Sequence, residues 1–412
     1  MFSLAERLKL IASGEGKAKL FNFAQKLSLV LLTTSLSSFL SFSPAHATTY
    51  YVSVKGNGTN PTTWAGAWTG PSQVNDNVLQ PGDTLIFDGG PGGMVYNGTL
   101  RILYDNLTVQ KATDAGRNGQ VIFDGQGNTP IGIAVFSNNV TVSGNTLSGF
   151  LVRNYSEGIR TDALATGISV SNVEVTGCRV GLEVGGGASF RMVLAHDNIL
   201  QAIQRQANDT ASRLFFQSCA FYNTSWPKAG TYSCGFESYL NVAGNVVINH
   251  CIFGPGLTHG IYLSSLITAK ITNVLMLNAT NTNFYEDARP AEVDLEDATF
   301  YMTATDPYGF AHSEFLAWQY PAKLQVRNSV IEAGVIQMPL LKFGQNNFQW
   351  LDTGNLTALD DRQRDPQFFN DVANIPSNSS CSVFMNTSYA LKTTSQATGS
   401  DLTSFAQLIE GH

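Results

Sequence analysis

The feature that most constrains this chain is a strand-length pattern that keeps returning. Each copy has an apolar-x-apolar pair, two polar or small residues, a small residue, and one more apolar residue two places on. The second apolar residues are Val152, Val175, Ala195, Phe216, Ile248, Ile271, Leu295 and Val326, separated by 23, 20, 21, 32, 23, 24 and 31 residues. A unit this short cannot bury its apolar edge alone, so the copies must stack, each covering the next. The two long gaps read as loops inserted into single repeats. Five residues after the anchors come Glu157, Val180, Leu200, Phe221, Phe253, Met276, Phe300 and Ile331. All but Glu157 are large and apolar, which predicts an inward-facing ladder, because alternate residues of a strand face opposite sides. Three residues after the anchors come Tyr155, Cys178, Asn198, Cys219, Cys251, Val274, Ala298 and Ser329, so three of the five cysteines are expected in one packing column.

The rest of the composition fits strands and turns. Only 13% of residues are charged, Gly is abundant at 38, and Asn, Ser and Thr bound the apolar runs. Five cysteines (Cys178, Cys219, Cys234, Cys251 and Cys381) are too sparse and too odd in number for a disulfide framework. Residues 1–47 are expected to be a signal peptide: a basic leader, the apolar run 27–42, then Pro44 and the small-x-small triplet Ala45-His46-Ala47. A run of this length is shorter than the ~18–20 residues that span a bilayer. The expected product is secreted, periplasmic or extracellular, with no membrane partner after cleavage, and monomeric. Without residues 1–47 the chain keeps 19 basic and 29 acidic residues, a net charge of −10. Such a chain lacks the basic surface that nucleic acid requires, and it meets polyanionic sugars only where local cations or a bound metal reverse the field.

Two terminal segments carry a family resemblance. Thr49-Tyr-Tyr-Val-Ser-Val-Lys-Gly-Asn-Gly58, followed by Gln80-Pro-Gly-Asp-Thr-Leu-Ile-Phe-Asp88, resembles the entry segment of the pectate-lyase-like right-handed β-helix proteins. Asp365-Pro-Gln-Phe-Phe-Asn370, with Tyr389-Ala-Leu-Lys392 and Ser395-Gln-Ala-Thr-Gly399, is similar to a closing segment of bacterial members. The fold class expected is all-β, a right-handed parallel β-helix solenoid with irregular N- and C-terminal caps. The helix with its N-terminal cap is expected over 48–335 and the C-terminal cap over 336–412. The resemblance specifies fold far more than activity, since that superfamily holds lyases, hydrolases, epimerases and non-catalytic proteins. Its catalytic signatures are not met. There is no Arg-x-Pro-x-x-Arg segment, Thr258-His259-Gly260 keeps two residues of Gly-His-Gly, and Asp360-Asp361 lies outside the repeats.

A second marker suggests where chemistry sits. Gly158-Ile159, Gly181-Leu182, Ala202-Ile203, Gly235-Phe236, Gly260-Ile261 and Asn283-Phe284 recur in step with the anchors. If the apolar member points inward, the next residue points out, and that outward column is Arg160, Glu183, Gln204, Glu237, Tyr262 and Tyr285. Two residues on come Asp162, Gln206, Tyr239 and Asp287. Tyrosines beside amides and carboxylates suit sugar rings and hydroxyls, so Asp162, Gln204, Gln206, Tyr239, Tyr262 and Tyr285 are candidate substrate-binding residues. Trp226 and Lys228, in the longest gap, are candidates to overhang the same face. With rungs ~4.8 Å apart, Glu183 and Glu237 stand roughly 10 Å apart and the diagonal neighbours Asp162 and Glu183 roughly 8 Å apart, which allows an inverting glycosidase with its ~6.5–9.5 Å separation. A uronate lyase would instead take Arg160 or Arg205 as base, with Glu183, Glu237 or Asp287 on Ca²⁺. His196 and His250 fall where turn residues are expected. The partner expected is a polysaccharide, cleaved by a lyase or an inverting hydrolase, or held by a non-catalytic surface protein with the same face.

Overall fold

The computed structural model describes residues 47–363, apart from 75–78, 207–212, 224–232, 239–243, 255, 264–266, 278–281, 287–291, 297 and the interstrand stretches after 301. For 204–206, 277, 282–286, 292 and all residues beyond 298 only the backbone is described. Among the described residues the secondary structure is strand throughout, except one 3-10 turn at Pro71–Gln73, and the strands form one hydrogen-bonded network. Every strand-to-strand register in it is parallel, from Thr49–Val52 against Thr84–Phe87 to Phe348–Leu351 against Arg362–Gln363. This is the expected right-handed parallel β-helix.

Three ladders run along the solenoid. The first joins the end of Phe150–Thr161 to Val180–Gly185, Leu200–Gln206, Cys234–Ser238, His259–Leu263 and Thr282–Glu286. The second begins at Thr49 and includes Val142, Val170, Phe190, Phe216, Ile248, Ile271 and Leu295 in one inward column. The third carries Phe123, Val152, Val175, Ala195, Phe221, Phe253 and Met276. In five rungs a left-handed residue stands at the corner between the second ladder and the third: Asn172, Met192, Ser218, His250 and Asn273, with φ between 52 and 57°. A left-handed residue turns the chain through a corner without breaking either strand, and Asn tolerates it best among residues with a side chain. His250 thus has the expected turn role.

This geometry corrects the register read from the repeats. Val152, Val175 and Ala195 belong to the third ladder, whereas Phe216 and the anchors after it belong to the second. Ala195 is paired with Phe221, and the partner of Phe216 is Phe190. The two ladders carry the same apolar-x-apolar pattern five residues apart, so a repeat search passes from one to the other unnoticed. The cysteine column splits likewise. Cys178 lies in the turn before the first ladder, where its N–H donates to Asn198 Oδ1 at 2.8 Å, whereas Cys219 and Cys251 sit level just after the corner. The four described cysteines are buried and form no disulfide among the described residues.

In-register stacking builds the core. Phe190 lies on Phe216 with centroids 5.2 Å apart, Phe221 lies on Phe253 at 4.9 Å, and Phe216 meets Phe221 and Phe236 edge-on. Each such ring, fully withdrawn from water, contributes about 1.5–3 kcal/mol. The entry motif is structural. Asp83 accepts from the N–H groups of Gln80 and Thr48, each at 2.7 Å, tying the turn to the first strand. Buried Asp88 accepts from Ser53 Oγ and Gly90 N, both at 2.8 Å, and pairs with Arg117, which covers the Trp64 ring. At the other end the ladder runs past the expected boundary at 335: Phe348–Leu351 pairs with Val330–Ala333, and Arg362–Gln363 pairs with it in turn. Residues 364–412, including the expected closing segment and Cys381, lie outside the described residues.

Candidate functional site

The first ladder brings most of the expected column together. Arg160 is level with Glu183, Glu183 with Ile203, Ile203 with Glu237, Glu237 with Tyr262, and Tyr262 with Tyr285. Gln204 is corrected out of it: Gln204 pairs with Val184 and Ser238, and Ile203 stands between the two glutamates. The cause is Gln201, which replaces the glycine of the other rungs. A Cβ on Gly181 would lie 2.6 Å from Gln201 O, so those two are the stacked positions. The Gln201 side chain is buried, with Oε1 accepting from Asn198 Nδ2 and Nε2 donating to Asn198 O, both at 2.9 Å. Ala202 therefore fills the inward site that Leu182 and Phe236 occupy on either side.

Arg160 is the hub of the face. Its guanidinium lies 3.4 Å from Glu157 Oε2 and 3.5 Å from Glu183 Oε1. Glu157 therefore shares the side of Arg160, although the repeat pattern assigned it to an inward column. Apolar neighbours in that column hid it, and its i,i+3 spacing to Arg160 was the available signal. Glu183 is also not the solvent-facing residue expected of the column, being only 6% exposed. Further along, the His259 ring meets Tyr262 edge-on at 5.6 Å, and burial pushes its imidazole down to about 4. At neutral pH it is an uncharged donor and acceptor.

The remaining expected residues are placed as follows. Asp162 Oδ1 accepts from Leu164 N at 2.8 Å, which makes it a turn former at the end of its strand. Gln206 is level with Gly185 across a register shift, and Arg205 is in the same strand, both described by backbone alone, as is Tyr285. Trp226, Lys228, Tyr239 and Asp287 lie outside the described residues. Among the described residues no group of three or more His, Cys, Asp or Glu side chains gathers where a metal could be held. Glu183 is engaged by Arg160 and Glu237 stands two rungs away, so the described carboxylates do not fit a calcium site.

A second polar cluster lies on the third ladder, where His196 was expected to be a turn residue. His196 Nε2 is 3.1 Å from Glu174 Oε1, and Nδ1 is 2.9 Å from Asp197 Oδ2. Its ring stacks on Tyr222 with centroids 4.9 Å apart and planes within 5°. Burial alone would lower its pKa, but the bonds to Asp197 and Glu174 outweigh burial and raise it to about 9. Burial likewise opposes ionisation of Glu174, and the imidazolium more than compensates, holding the carboxyl below its usual range.

No family model matches this sequence, and none of the curated proteins is significantly similar to it. Solved structures are similar to it in fold. The pectate lyase Pel9A matches with a TM-score of 0.52 at 15% identity, over 74% of this chain and 80% of its own. A rhamnogalacturonan lyase matches with a TM-score of 0.52 at 12% identity, over 79% of this chain and 91% of its own. At these identities the likeness is one of architecture: this chain has the right-handed parallel β-helix fold of the pectate-lyase-like proteins, a fold shared with polysaccharide-active enzymes.

Proposed function

We propose that this protein is exported and binds a polysaccharide along the outer face of the first ladder. The observation that supports this reading best is the continuous column Arg160, Glu183, Ile203, Glu237, Tyr262 and Tyr285, one residue per rung. Along such a column an extended polymer meets Arg160 and then, past the buried Glu183 and Ile203, the half-buried Glu237 and Tyr262. Arg160 serves as a positioning cation. It is already shared by two carboxylates, and a base would have to be neutral, which a guanidinium in a protein is not. The pairing of Glu183 and Glu237 favours a second reading, hydrolysis with inversion. Two rungs place their backbones roughly 10 Å apart, and side-chain rotation can bring the carboxyl groups within the ~6.5–9.5 Å such enzymes use.

The test is a screen of pectin, alginate, glycosaminoglycans and neutral glycans, with and without calcium. Binding that the double variant Glu183→Gln/Glu237→Gln abolishes, with no new chain ends, supports the binding reading. New saturated reducing ends that the same variant suppresses support hydrolysis. Unsaturated ends appearing undiminished in an Arg160→Gln variant would show elimination through some other base. Binding untouched by the double variant removes the ladder as the ligand face.

A further inference from the structure

Two cysteines stand one above the other inside the solenoid. Ala220 and Phe221 are level with Ile252 and Phe253, so Cys219, one residue earlier, is level with Cys251. The column they occupy is Val173, Val193, Cys219, Cys251 and Val274, buried throughout. One cysteine among valines packs as a small apolar residue; two on successive rungs put a reactive pair at one point of the core. The backbone holds them alike. Each follows a left-handed corner residue, Ser218 or His250, both with φ 53°. Each thiol donates to the carbonyl two residues back, Cys219 Sγ to Gln217 O and Cys251 Sγ to Asn249 O, both at 3.3 Å. Two positions on, the Phe221 and Phe253 rings stack with centroids 4.9 Å apart, so the two rungs are in close register here.

These constraints are those of a disulfide. Rungs ~4.8 Å apart place the two Cα atoms inside the ~4.4–6.8 Å range of bridged cysteines. Equal corner geometry points both Cβ atoms the same way, and a small tilt of each toward the other brings them to the ~4.5 Å that a bridge accepts. The other described cysteines lack such a neighbour. Cys178 lies in a turn against Asn198 of the next rung, and Cys234 is level with Leu200 and His259. Cys219 and Cys251 are 32 residues apart, and the stretch between them holds the Cys234–Ser238 strand with Glu237. A bond here would close that whole insertion-bearing rung and restrict the unfolded chain accordingly.

We propose that Cys219 and Cys251 are joined by a disulfide that staples this rung, formed while the two rungs stack. The oxidant is itself a disulfide, of a small thiol or of a protein. One cysteine thiolate attacks a sulfur of the oxidant and releases its first thiol; the second cysteine then attacks the mixed disulfide and releases the other. The two cysteines together give up two electrons and two protons, and the oxidant ends as two thiols. In the folded chain both thiols are buried, and burial, with the Cys219 thiol against it, raises the Cys251 thiol above its ordinary range, so the exchange belongs to the assembling chain. An exported chain, as proposed above, meets oxidants of this class, but the bond does not depend on what the first ladder binds. Refolding the full chain from denaturant in oxidised and reduced glutathione, alkylating the remaining thiols and mapping peptides without reduction tests it. A peptide pair joined through Cys219 and Cys251 should be the main cross-linked product. The urea midpoint of the oxidised protein should fall by roughly 1 M on adding dithiothreitol, and the midpoint of Cys251→Ala should not move with the reductant. If that variant does not fold, the peptide map of the wild type decides. Full alkylation of both residues, a different pairing among the five cysteines as main product, or a wild-type midpoint unmoved by reductant would each overturn the staple.

Discussion

Replacing His196 with Gln should make the stability of this protein respond differently to pH. The imidazole is faced by Glu174 on its own ladder, by Asp197 next in the chain, by the hydroxyl of Thr176 at 3.4 Å and by the Tyr222 ring. Its side chain is only 15% exposed, so solvent screens these contacts weakly. Folding raises its pKa from 6.5 to about 9. At about 1.4 kcal/mol for each tenfold change in proton affinity, the rise corresponds to roughly 3 kcal/mol. Because the folded value is the higher one, this contribution is fully present below pH 6.5 and is lost as pH rises through about 9. Urea denaturation of wild type and His196→Gln at several pH values reads it directly. The two proteins should differ most near pH 6 and converge by about pH 10. Midpoints that run parallel across the whole interval would refute the clamp as a source of stability.

Two further outcomes follow from packing. Phe216→Ala removes a ring that touches Phe190, Phe221 and Phe236 and is fully buried; a loss of about 3–5 kcal/mol is expected in thermal or denaturant unfolding. Asn198→Ala strips the Cys178 amide of its acceptor and Gln201 of a donor in a site 2% exposed. It should cost about 2–3 kcal/mol and speed hydrogen exchange at the Cys178 amide.

The fold was legible because stacking forces every rung to repeat the same chemistry, so the apolar columns Phe221, Phe253, Met276 and Ile248, Ile271, Leu295 could be read directly. The join between Ala195 and Phe216 was not legible. Two ladders with one pattern meet at a single corner residue, and Met192 and Ser218 do not advertise that corner as Asn172 and Asn273 do. The alignment of Arg160, Glu183, Glu237 and Tyr262 in one column was legible because the Gly-apolar marker tracks the first ladder. It failed at Gln204, where Gln201 takes the glycine position and Ala202-Ile203 imitates the marker one residue out of step. Glu157 escaped because its partner Arg160 is in the same strand, and a search across rungs does not look there.

Parallel stacking in register also makes the first ladder a ruler. Backbone hydrogen bonds set its graduations at ~4.8 Å, whatever side chain stands at each mark. Exchanging Ile203 or Tyr262 would rewrite one graduation and leave its neighbours where they are. Lengthening a turn would add matter beside the scale without stretching it. The exception is the shift between Val184 and Gly185, where the strand slips against Leu200–Gln206 and the level partner of Gly185 becomes Gln206. That slip lies beside the column, at the strand's end, and leaves Glu183 level with Ile203 and Ile203 level with Glu237. A repeating polymer laid along the ruler would therefore keep step from Arg160 to Tyr285, one residue per rung.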